Sequence, residues 1–166
     1  RRPYYTELAA YLATRPHGAT TDELCAAFDT NPGRVRRDLA TVRKWLGTDP
    51  TTGQPYLPAA TQQPADNGRT TGHYELTGVL YDADLFRRLR LRGQTRGPAG
   101  IDDFLKALSL VGGPPYHGIR DRGGIWLTDY RDDQHLLVAI VDTAHLAANM
   151  AMQTGDHGTA CRAAET

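Results

Sequence analysis

Apolar positions recur at helical spacing along most of the chain and alternate only in short runs. In residues 31–47, NPGRVRRDLATVRKWLG, Val35, Leu39, Val42 and Leu46 fall on one narrow arc. Asn31 is a favourable cap, Pro32 is preset for a first helical turn, and Gly47 supplies a stop. Upstream, Tyr5, Leu8, Tyr11 and Leu12 predict an amphipathic helix over 3–14, which Pro16 and Gly18 end. Thr20 or Thr21 can cap the next helix, TDELCAAFD, whose inward stripe is Leu24, Cys25 and Phe28. A short helix, a tight connection over 29–31 and a longer helix predict a helix-turn-helix. Residues 54–59 and 72–77 then predict two strands of a hairpin with a long, mobile, polar tip whose basic residue is Arg69.

Beyond Thr77 the pattern is helical again. Asp82 is the expected cap of DADLFRRLRLRGQT, with Leu85, Leu89 and Phe86 facing inward. Ile101, Leu105 and Leu108 form a stripe with Phe104 and Val111 beside it. Glycine and proline interrupt regular structure over 112–124, and a long helix is expected from Trp126 onward, most firmly over 132–152. A last helix is expected over 159–166. Helix pairs joined by glycine-rich turns suggest helical hairpins of tetratricopeptide type, although no 34-residue self-similarity is present. The expected fold is therefore mainly α: a winged helix-turn-helix at 1–78 with a small β-hairpin wing, then a truncated helical tetratricopeptide-like region at 79–166.

Charge changes this picture by its distribution. The 166 residues carry 19 basic and 19 acidic side chains, so the net charge points to no partner. Residues 31–47, however, hold five Arg/Lys against Asp38, and residues 79–98 hold five Arg against Asp82 and Asp84. Residues 99–166 hold five basic against nine acidic residues. A basic front and an acidic back suit a part that meets phosphate and a part that meets something else. Only Lys44 and Lys106 are lysine, a bias associated with GC-rich bacterial genomes. Cys25 and Cys161, far apart in sequence, are expected to be reduced core residues of a cytoplasmic protein. No apolar run reaches about 18 residues, so no membrane contact is expected from this fragment, although a longer protein could be membrane-anchored.

Opposite the apolar stripe of 31–47 lie Arg37, Thr41 and Lys44, with Arg34 and Trp45 on one shoulder and Arg36 and Arg43 on the other. A slim basic face rich in donors is what a helix in the major groove of double-stranded DNA requires: arginine for guanine edges, lysine for phosphates, threonine for either. A solvated or protein-binding helix presents the same pattern. Arg36 and Arg43 are expected at phosphates or at carboxylates such as Asp38. The arginines 87, 88, 90, 92 and 96 could bind phosphate or an acidic partner, or solvate a helix face. His135, Asp142, His145 and Asn149 share one stripe of the long helix, either as a groove, as a buried hydrogen-bonded Asp142 with His145 one turn on, or as a simply exposed stripe. Enzyme chemistry is not expected. The single serine, Ser109, lies in a helical segment, no glycine-rich loop ends in Gly-Lys-Ser/Thr, and no Cys/His pair has zinc spacing. No catalytic residue, cofactor or metal is assigned.

The order TTDELCAAF, RVRRDLATVRKWLG, PYLP and HYELTG resembles the winged helix of OmpR/PhoB-type regulators, with Val42 to Gly47 matching its L-R-x-K-L-G-like end. The following YDADLFRRLR and LSLVGGPPY are similar to the bacterial transcriptional activator domain of antibiotic-regulatory activators of actinobacteria, including multidomain regulators with LysM domains. The resemblance implies a DNA-binding transcriptional regulator whose helical region mediates protein contacts or self-association. Trp45 departs from it, standing where a basic residue is common. The competing expectation is a protein-interaction or signal-receiving scaffold whose winged helix does not bind DNA.

Overall fold

The computed structural model describes residues 2–64, 70–119 and 125–165. It is mainly helical with a small three-stranded antiparallel sheet. The chain forms two compact units, Arg1–Val79 with Gly118–Tyr130, and Leu80–His117 with Arg131–Thr166.

In the first unit, α1 (Arg2–Ala13) is followed by β1 (Ala19–Thr20), α2 (Thr21–Phe28) and α3 (Pro32–Leu46). Then come β2 (Thr61–Pro64) and β3 (Thr70–Tyr74). Thr20 starts α2 with a reciprocal cap: its hydroxyl accepts from the Glu23 N–H, and the Glu23 carboxylate accepts from the Thr20 N–H at 2.7 Å. Asp29 ends α2 in the left-handed region, at φ 45°, and three residues later α3 begins. Leu8, Leu12, Leu24, Val35, Leu39, Val42 and Leu57 are buried together with Tyr11 and Tyr74. Such burial stabilises by about 1.5–3 kcal/mol per large side chain.

The sheet order is β1-β3-β2, with Ala19 opposite Tyr74 and Pro64 opposite Thr70. The expected strand at 54–59 is corrected: it lies outside the sheet, and the first hairpin strand is β2. Pro55 and Pro58 cannot donate to a ladder. Leu57 instead plugs the core, and its carbonyl and that of Pro58 accept from Arg43. The second strand ends at Tyr74, short of the expected Thr77. The hairpin tip, including Arg69, lies outside the described residues.

Residues 118–130, expected in the second part, belong to the first unit. The reason is α6 (Ile125–Tyr130), whose Trp126 is buried edge-on to the Tyr11 ring at 5.3 Å and donates through Nε1 to the buried Glu7 carboxylate at 3.2 Å. The long helix expected from Trp126 onward is likewise split, because Arg131 takes a left-handed conformation at φ 48°.

The second unit contains α4 (Asp82–Arg96), a 3-10 turn at Gly97–Gly100, α5 (Ile101–Leu108), α7 (Asp132–Gln153) and α8 (His157–Ala164). Its core is Phe86, Phe104, Ala107, Leu108, Ile140, Ala147 and Ala163. Leu85 and Leu89, expected inward, are only half-buried; Phe86, Ala83 and Gly93 hold the inner face. Gly93 and Gly100 let α4 and the start of α5 touch backbone to backbone, since a Cβ on Gly100 would overlap the Gly93 carbonyl. Tyr81, not Asp82, occupies the cap position of α4; the Asp82 carboxylate accepts from the adjacent Ala83 N–H. Cys161 is exposed and Cys25 half-buried, because α8 buries Thr159, Ala160 and Ala163 and turns position 161 outward. Among the described residues α7 alone is long and apolar enough to cross a membrane by length and composition.

Candidate nucleic-acid interface

The candidate face is built on α3. The Asn31 side chain accepts from the Arg34 N–H at 3.0 Å, Pro32 fills the first turn, and the Gly47 N–H closes the end on the Arg43 carbonyl. Val35, Leu39 and Val42 fix the helix rotation by anchoring in the core, with Leu46 half-buried below them. That rotation turns Arg34, Arg37, Thr41, Lys44 and Trp45 outward on one side and Arg36 on a shoulder; all are exposed, Trp45 at 60%.

Exposure does not make these side chains equivalent. Arg34 Nε sits 3.4 Å from the Asp38 carboxylate and its guanidinium lies over the Tyr4 ring, 5.6 Å from the centroid. The Tyr4 hydroxyl donates to the same carboxylate at 3.1 Å. Arg34 is thus held at the start of α3 by an aromatic and an acid, and Asp38 offsets part of its charge. The Thr41 hydroxyl donates to the Arg37 carbonyl one turn back at 3.1 Å, which leaves its oxygen lone pairs outward as acceptors. Arg37, Lys44 and Arg36 form no ion pair among the described residues.

Arg43 belongs to the scaffold and not to the face. It donates through Nε to the Leu57 carbonyl and through a terminal nitrogen to the Pro58 carbonyl, both at 2.7 Å. These bonds satisfy two carbonyls the sheet leaves unpaired and tie the end of α3 to the segment leading into β2. The sheet is joined to the helices by two further bonds: Thr21 donates to the Gly72 carbonyl at 3.0 Å, and His73 Nε2 donates to the His17 carbonyl at 2.6 Å. Gly18, at φ 73°, is required where it stands, because a side chain there would strike the Tyr74 carbonyl.

The second arginine group is absorbed within its own unit. Arg87 binds Asp132 at 2.9 Å, Arg88 binds Asp84 at 2.8 Å, and Arg90 lies 3.6 Å from Asp142. Arg92 and Arg96 share the buried Asp103, at 2.6 and 3.0 Å. The two guanidinium groups hold the Asp103 carboxyl below the usual carboxylate range, with the Arg92 hydrogen bonds contributing most. Asp132 also accepts from the Tyr116 hydroxyl at 2.6 Å; burial and then that bond push the Tyr116 pKa up. Of the alternatives for the polar stripe on α7, simple exposure holds: the Asp142 side chain keeps 54% of its accessible area, and His135, His145 and Asn149 are exposed too. Among the described residues no group of three His, Cys, Asp or Glu side chains could hold a metal ion. Comparison with family models, curated proteins and solved structures finds no match for this chain.

Proposed function

We propose that the first unit is a winged helix that binds double-stranded DNA through α3, and that the chain is part of a transcriptional regulator. The observation that carries the reading is the outward row of Arg37, Thr41 and Lys44 on a rigidly seated helix, with no carboxylate pairing either cation among the described residues. A helix-turn-helix continued by an antiparallel hairpin supports the winged arrangement, and β1 pairing on β3 keeps the hairpin in fixed relation to α2 and α3. In this reading Arg37 reaches base edges, Lys44 a phosphate and Thr41 either, while Arg34 and Arg36 add charge at the margins. The α4–α5 and α7–α8 pairs serve as tetratricopeptide-like hairpins for protein contacts. A chain that reads duplex DNA in a bacterium works in the cytoplasm.

Fluorescence-anisotropy titration against duplex DNA at low and moderate salt tests the reading. The expected result is binding that Arg37→Ala and Lys44→Ala weaken, with a bidentate arginine contact worth about 1–3 kcal/mol of base discrimination. Absence of binding at tens of micromolar, or binding that neither Arg37→Ala nor Lys44→Ala changes, refutes it. A second reading, a protein-binding scaffold, is favoured by one observation: Trp45, exposed on the same face, is the side-chain type that anchors protein interfaces. Under that reading Trp45→Ala abolishes partner binding and DNA does not bind.

A further inference from the structure

Among the described residues Arg34 is the one cation of α3 held in place by other side chains. Its Nε lies 3.4 Å from Asp38 Oδ2, and its guanidinium stands over the Tyr4 ring, 5.6 Å from the centroid. The Tyr4 hydroxyl donates to the same carboxylate oxygen at 3.1 Å, so Tyr4 steadies the acid as well as the arginine. The terminal nitrogens of Arg34 meet no protein acceptor among the described residues, and its side chain is 58% exposed. Asp38 is the sole acid of α3. On a helix that meets phosphates an acid weakens the attraction. An ion pair this open adds little to folding stability, so stability is a poor account of the acid being there.

We propose that Tyr4 and Asp38 are positioning residues that set Arg34 to read a guanine and turn it away from phosphate; the proposal rests on DNA binding by α3. With Nε engaged by Asp38, the two terminal nitrogens are left as an end-on fork, which matches the O6 and N7 acceptors of a guanine edge. A phosphate offers the fork two oxygens as well, but it brings a negative charge towards the Asp38 carboxylate, whereas a guanine edge is neutral. The acid therefore weakens a phosphate contact more than a base contact. Selectivity of this kind comes from penalising the wrong contact as well as from making the right one. Arg34 also stands in the first turn of α3, and the N-terminal residues of a groove-seated helix are those that contact base edges. The ring beneath the guanidinium restricts its swing, which lowers the ordering cost of a bidentate contact.

The test enriches bound duplexes from a randomised pool with the full chain. Anisotropy then follows the enriched duplex, one with the guanine replaced by adenine, and an unrelated duplex. Wild type is expected to prefer guanine at one base pair by roughly tenfold, and Arg34→Ala to lose that preference alone. Asp38→Asn, which keeps an acceptor for the Tyr4 hydroxyl, is expected to bind the unrelated duplex about threefold more tightly, with a steeper salt slope, while the guanine preference falls to about twofold. A merely structural Asp38 would weaken all three duplexes together. Tyr4→Phe, which loses the hydroxyl and keeps the ring, is expected to lower the preference without steepening the salt slope. The proposal is overturned if no enriched guanine depends on Arg34, if Asp38→Asn weakens every duplex alike, or if either the Asp38 or the Tyr4 variant leaves the guanine preference intact. Those outcomes leave DNA binding by α3 standing, whereas a wild-type chain that binds no duplex overturns both.

Discussion

Arg43 and Arg34 differ in role for reasons that lie at opposite distances in sequence. Asp38, expected to meet Arg36 or Arg43, instead pairs with Arg34 one turn before it, where an opposite charge at i+4 is within reach. The ring of Tyr4, which lies under Arg34, comes from another helix. Arg43 is committed to the carbonyls of Leu57 and Pro58, partners that no periodicity announces. Asp103 is hidden in the same way: its place in the first turn of α5 suits a helix-start acid, although it is the buried acceptor for Arg92 and Arg96. Its folded pKa is lowered, so its contribution to stability is present above the unfolded value of about 3.9 and is lost as pH falls through the folded value. Thermal unfolding of the wild type and Asp103→Asn between pH 2 and 7 should therefore show a gap in Tm near neutrality that narrows in acid. A gap independent of pH would mean that the carboxylate charge contributes nothing.

At the scale of elements, helices were more legible than strands. Caps and 3.6-residue periodicity are local, and the starts of α2 and α3 fall where Thr20, Asn31 and Pro32 put them. The strand expected at 54–59 failed because a brief apolar pair, Tyr56 and Leu57, reads the same whether it alternates in a sheet or drops into a core. Only the pairing of β3 with both β1 and β2 decides which residues are strand, and that is a non-local fact. The left-handed break at Arg131 carries no glycine to announce it, so α6 and α7 read as one helix. Because Thr20 both accepts at the start of α2 and has its own N–H capped by Glu23, Thr20→Ala should cost about 1 kcal/mol of unfolding free energy. Urea denaturation followed by circular dichroism measures it, and no loss would show that the box is redundant with packing.

For the whole molecule, the informative surprise is that α6 packs with the first unit although residues 80–117 intervene. Trp126 is the agent: a large apolar side chain whose indole N–H finds the Glu7 carboxylate inside the core. A boundary drawn from composition could not see it, because the glycine-rich stretch before Trp126 resembles a linker within the second part. The outward basic face of α3, by contrast, was legible from helical spacing alone, and its reading as a DNA-binding face is the central claim. That claim is tested most directly by the salt dependence of duplex binding in wild type, Lys44→Ala and Arg43→Ala. If Lys44 meets a phosphate, its loss lowers the slope of log K against log salt by about 0.9. Arg43→Ala leaves that slope unchanged, since Arg43 is spent on backbone carbonyls. A wild type whose binding is absent or indifferent to salt, or a slope that Lys44→Ala does not alter, contradicts it.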